Sequence, residues 1–110
     1  MPENVITVDQ SNFQKFVLES QKPVLVDFSA AWCMPCRAVD PIVSELAKEY
    51  NGKVEFAKVN VDEAPFLASS YGIMSIPALI IFEDGKPIEH IIGFKPKNQL
   101  EKLLDSVLAK

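Results

Sequence analysis

Two cysteines and one histidine are all the chain has of the side chains that most readily hold soft metals, and basic residues are outnumbered 11 to 15 by acidic ones. A closed zinc site needs four ligands, so Cys33 and Cys36 would need two more, and beyond them the chain offers no other cysteine and only His90. A net charge of −4 and a pI near 4.9 leave no electrostatic footprint for phosphate backbones or anionic lipid surfaces. Nucleic-acid and membrane partners are therefore not expected. No apolar run approaches the roughly 20 residues that span a bilayer, and the opening MPENVITVDQ has no basic stretch followed by an apolar one. Repeats, low-complexity tracts and linkers are missing as well. What remains is a 110-residue chain, 48% hydrophobic and 24% charged, whose composition fits a soluble, cytoplasmic protein with one domain spanning residues 1–110.

Periodicity divides that domain into strands and helices. VITV (Val5 to Val8) is a short β-prone run, and the SNFQ after it offers a capping box, Ser11 with Gln14, for a helix through about Glu19. Pro23 opens the strand VLVDF. After Cys33, apolar residues recur at helical spacing from Val39 to Tyr50 and end at Asn51-Gly52, with Pro41 expected to kink the helix. VEFAKVNV (Val54 to Val61) alternates as a strand, and DEAPFLASSYG reads as a short helix. Two β runs flank Asp84-Gly85, a hairpin signal, and from Pro96 the residues Leu100, Leu103, Leu104, Val107 and Leu108 share one helical face. The order β α β α β α β β α predicts an α/β domain: a mixed sheet covered by helices on both faces. Sites in such sheets gather where a strand's carboxyl end meets the next helix, and VLVDF-SAA-WCMPC lies at that junction.

Three readings of the cysteine pair compete. As a staple it closes a four-residue loop, which stabilises by only roughly 2 kcal/mol against roughly 3 for a fifteen-residue loop. As half of a zinc site it lacks partners. As a redox pair it has a mechanism, because residues three apart at the start of a helix lie on one side and come within disulfide range. Cys33, at the helix N-terminus, would face unpaired amides that stabilise its thiolate, making it the attacking sulfur. Cys36, one turn inside, would resolve the mixed disulfide, and Pro35 suits the first turn.

The stretches VDF, WCMPCR, AKVNVD, YGIMSIPALIIF, DGK and IIGF, with the last helix, together resemble the thioredoxin family over nearly the whole chain. The resemblance implies a central mixed five-stranded sheet between four helices and protein-disulfide reductase activity through a Cys33–Cys36 disulfide without a further cofactor. It also implies a monomer whose partners are a thioredoxin reductase and client proteins with disulfides. Asp27 would be the buried proton acceptor for Cys36, Lys58 its charged neighbour, and Pro77 a cis-proline facing the disulfide. Trp32, Met34, Pro35, Ile76, Gly93 and Phe94 would join Pro77 in the substrate-contacting surface.

Asp27 also has a case of its own. A carboxylate inside VLVDFSA falls in a strand expected to be covered on both faces, where desolvation raises its pKa toward the range useful for proton transfer; a solvent-facing aspartate is the alternative. Lys58 in FAKVNV reads as a surface lysine unless the resemblance is followed. For Pro77 the residues favour the trans form, since cis makes up only about 5–6% of X-Pro bonds; the cis expectation comes from the resemblance. For Phe94, core packing and client contact both remain open. Ser29, Met34, Arg37 and Ala78 depart from the common family pattern of tryptophan, glycine, lysine and threonine, and none removes a reacting group. An oxidase or isomerase would share these residues, and a pure binding module would keep its partner after both cysteines were changed to serine.

Overall fold

The computed structural model describes residues 4–109, so residues 1–3 and 110 of the expected domain lie outside the described residues. The elements are β1 (Val5–Thr7), a π-helical turn (Gln14–Leu18), β2 (Val24–Ser29), α1 (Met34–Glu49), β3 (Glu55–Asn60), α2 (Pro65–Ser70), β4 (Ala78–Glu83), β5 (Lys86–Ile92) and α3 (Lys97–Leu108). The strands form one sheet in the order β1-β3-β2-β4-β5. β3 pairs parallel with β1 and β2, while β4 pairs antiparallel with β2 and β5. The mixed five-stranded sheet flanked by four helical segments is the expected architecture, with one difference: the first segment is a five-residue π turn.

That difference has a local cause. The Ser11–Gln14 capping box does not form, because a charged acceptor stands two residues back. The Oδ1 of Asp9 accepts hydrogen bonds from the Ser11 amide, at 2.8 Å, and from its hydroxyl, while the Asp9 amide donates to Asn12 Oδ1 at 2.8 Å. The turn that follows is entered through Phe13 with no side-chain cap. At the hairpin, Asp84 and Gly85 both take positive φ, 54° and 77°, as a two-residue primed turn requires. A Cβ at Gly85 would stand 2.9 Å from the carbonyl oxygen of Leu18, so glycine also permits the close approach of the π turn.

Strand alternation sorts the core into two faces. Leu25 packs with Val39, Val43 and Leu46 of α1 and Leu100, Leu104 and Val107 of α3. Val26 and Phe28 pack on the other side with Phe13, Val17 and Leu67. Phe82 adds edge-on ring contacts to Phe13 and Tyr71 there, at 5.6 and 5.2 Å. Of the apolar stripe expected on α3, Leu108 is the exception: it lies at the helix end and is exposed. Tyr50 ties α1 to α3 by donating its hydroxyl to Asp105 Oδ1 at 2.7 Å, and the Lys97 ammonium bridges Glu45 and Glu49. Because β2 is buried along its whole length, the period-two row Leu25, Asp27, Ser29 carries a carboxylate and a hydroxyl into the face under α1.

Candidate active site

β2 ends at Ser29, and a short loop delivers the chain to the start of α1. Cys33 is the N-cap residue, with extended backbone (φ −87°, ψ 109°), and its Sγ accepts a hydrogen bond from the Cys36 amide at 3.2 Å. Pro35 sits in the first turn, where no intrahelical amide is lost. Cys33 and Cys36 are joined as a disulfide with their Cα atoms 5.3 Å apart. Both sulfur residues are buried, and Val61 and Ile76 pack against the pair. Arg37 turns back over the loop, donating from Nη2 to the Ala31 carbonyl at 3.3 Å, so a permanent cation lies beside the approach to Cys33.

Asp27, two residues before the end of β2, is 1% exposed. Neither of its oxygens has a donor partner, and burial, followed by the neighbouring Asp40 carboxyl, pushes its pKa up to about 8, with the Lys58 charge acting in the opposite direction. Its expected neighbour is differently employed. Lys58 stands opposite Asp27 in the β2–β3 register, but its ammonium pairs with Asp40 Oδ2 at 2.8 Å. Lys58, the charged neighbour that the resemblance implies, thus acts on Asp27 through its charge while its ion pair is with Asp40, a residue sequence reasoning missed. Its only sequence signal is a position one helical turn beyond Cys36.

The Ile76–Pro77 bond is cis, and Pro77 itself is buried. The Pro77 carbonyl accepts from the Gly93 amide at 2.9 Å, which ties the start of β4 to the loop after β5; Gly93 has φ 82° there. In front of the disulfide a groove of about 350 Å³ is lined by Trp32, Val61, Ala68, Ile73, Met74, Ser75 and Ile76. Of the expected contact residues it takes Trp32 and Ile76. Met34, Pro35 and Phe94 are exposed outside that lining, so Phe94 does not belong to the buried core. Met74, 96% exposed, and Ile73 were not foreseen, because a loop has no periodicity to reveal which side chains line a groove. Among the described residues, no group of three or more His, Cys, Asp and Glu side chains is arranged to hold a metal ion.

Trp32, the only tryptophan, is anchored by its indole N–H, which donates to Asp62 Oδ2 at 2.8 Å. Since a disulfide quenches a nearby indole, reduction is expected to raise the emission, and a dithiol titration followed at that wavelength should give one sharp midpoint. Unchanged emission would place the ring out of reach of the sulfurs.

Comparison with known proteins gives a consistent result. The protein-family model described as Thioredoxin matches residues 4–106. The chain is 50% identical to a thioredoxin of Alicyclobacillus acidocaldarius over 103 residues, covering 94% of this chain and 97% of that protein. It is likewise 50% identical to thioredoxin 1 of a Nostoc species, covering 92% and 94%. With the chloroplastic M-type thioredoxin of Spinacia oleracea it shares 46% identity over 97% of its own length, but it spans only 59% of that longer protein.

Proposed function

The chain belongs to the thioredoxin family and is a thiol–disulfide oxidoreductase, and we propose that it works as a reductase of protein disulfides with Cys33 as nucleophile and Cys36 as resolving thiol. The observation that carries the assignment of roles is the position of Cys33 at the N-cap of α1, where its sulfur already accepts the Cys36 amide hydrogen bond. The same amide and the positive end of the helix favour a thiolate at that atom. In the reduced protein the Cys33 thiolate attacks one sulfur of a client disulfide; that bond breaks, the departing client sulfur takes a proton, and a Cys33–client disulfide forms. Cys36 then gives its proton to Asp27 and attacks Cys33 Sγ, releasing the second client thiolate and closing the Cys33–Cys36 bond. Two electrons pass to the client. An Asp27 that titrates at about 8 exchanges protons readily near neutral pH, which suits it to this step.

The apolar groove supports an extended client segment lying across Trp32 and Ile76, with the exposed Met34 and Phe94 beside it. The family works through a redox-active disulfide rather than a prosthetic group, and with reductases and disulfide-bearing clients. A thioredoxin reductase is the proposed source of electrons for this chain, acting on one monomeric domain. Work in the reducing direction calls for a reducing compartment, and the cytoplasm is the proposed one.

Cys36→Ser is expected to accumulate a mixed disulfide with client protein through Cys33, visible on a non-reducing gel and lost with dithiothreitol, because attack survives and resolution does not. Trapping through Cys36 in Cys33→Ser, with none in Cys36→Ser, would reverse the roles.

A further inference from the structure

Beside the disulfide, between α1 and the carboxyl ends of β2 and β3, is a second cavity of about 310 Å³, lined by Ser29, Ala30, Ala31, Arg37, Asp40, Lys58 and Asn60. Two of its lining residues, Asp40 and Lys58, share an imbalance of charge with the buried Asp27 next to them. Both oxygens of Asp27 and Oδ1 of Asp40 are buried without any donor, and the ammonium that could serve them is committed to Asp40 Oδ2. Two ionised carboxylates with one cation would leave three buried oxygens unsatisfied. A single proton on one carboxyl resolves this by making it a donor to the other. The ion pair decides which carboxyl is charged: Asp40 and Lys58 are partly exposed, with side chains 30% and 38% accessible, whereas Asp27 is closed off.

We propose that Asp40 is a positioning residue of the redox site: by drawing Lys58 onto its own carboxylate it leaves the proton on Asp27, and it links that proton to the cavity and the solvent. The inference rests on the role proposed above for Asp27. Before resolution the proton resident on Asp27 leaves by way of Asp40 Oδ1 to the cavity; the ionised Asp27 then takes the Cys36 proton and turns the regained O–H toward Asp40 Oδ1. In this relay the Cys36 S–H bond breaks as the Asp27 O–H bond forms; one proton enters from Cys36 and one leaves through the cavity. The charged groups acting on Asp27 are Lys58 from β3 and Asp40 from α1, with Arg37 on the cavity rim; β4 presents the uncharged Leu79 opposite it.

The test is a titration of the Asp27 side-chain carboxyl by carbon NMR in the oxidised protein, with no client present. Asp40→Asn removes the facing anion and frees Lys58, so the Asp27 midpoint is expected to fall by about one pH unit or more, a tenfold gain in acidity. Asp40→Glu should restore the midpoint to near its original value. A midpoint in Asp40→Asn within a few tenths of the parent would overturn the proposal. Should Asp40→Asn not fold, Asp40→Ser is read instead: the same fall of the Asp27 midpoint is expected, and an unchanged midpoint would be equally fatal. The reading of Asp27 as acceptor for Cys36 is judged separately, by the resolution rate of Asp27→Asn, so either idea can fail alone.

Discussion

Cys33→Ser is expected to lose disulfide reduction altogether, its rate with an accessible disulfide such as insulin's and dithiothreitol falling roughly a thousandfold or more, to the uncatalysed background. The hydroxyl that replaces the thiol is not ionised at neutral pH and cannot form the exchange intermediate, however well the helix amides are placed. Its fold should be intact, because the four-residue loop closed by Cys33 and Cys36 contributes only roughly 2 kcal/mol and the apolar core lies elsewhere. The decisive measurement pairs the turnover assay with a urea melt of the same sample. Substantial turnover by a folded Cys33→Ser would remove Cys33 from the nucleophile's role. Client capture that persisted in the doubly substituted Cys33→Ser, Cys36→Ser chain would show how much binding the groove supplies by itself.

The second large effect concerns stability. Asp27 has its ordinary value of 3.8 in the unfolded chain and about 8 in the folded oxidised protein. Between those values the folded state binds more protons than the unfolded one, so the contribution of Asp27 to stability falls as pH rises and levels off above about 8. The slope approaches about 1.4 kcal/mol per pH unit. Relative to Asp27→Asn, which does not titrate, the parent protein is expected to lose on the order of 4 kcal/mol between pH 4 and pH 8. The amide in Asp27→Asn is buried without partners and costs roughly 1–3 kcal/mol, but this cost is independent of pH and drops out of the slope. Urea unfolding of the two oxidised proteins across that range gives the difference directly. Parallel stability curves would mean that Asp27 is ionised at ordinary cost, and the reason for assigning it the proton-transfer step would be gone.

Much of the site was legible in the chain. Two cysteines three apart, after a strand and before an amphipathic helix, pointed to the helix start, and Cys33 does stand at the N-cap of α1 with its sulfur on the Cys36 amide. For Asp27 the sequence offered a strand expected to be covered on both faces against a solvent-facing position, and the burial of all of β2 decided for the first. The alternation of periods 2 and 3.6 likewise determined the order of strands and helices, since each pattern buries a continuous apolar face in one type of element only.

Other features were decided by the tertiary structure. Ser11 and Gln14 satisfy a local capping pattern, yet the Asp9 carboxylate competes for Ser11, and a short pattern cannot say which acceptor wins. Lys58 is opposite Asp27 in the strand register, but its long side chain reaches whichever carboxylate is better placed, and the azimuth of α1 brings Asp40 there. The sequence by itself therefore determined the order of the elements and the place of the two cysteines at the start of a helix, because burial periodicity and nearest-turn geometry are properties of a few consecutive residues. Which carboxylate holds the cation and which the proton depends on distances across three separate elements, and those exist only once α1 is packed on the sheet.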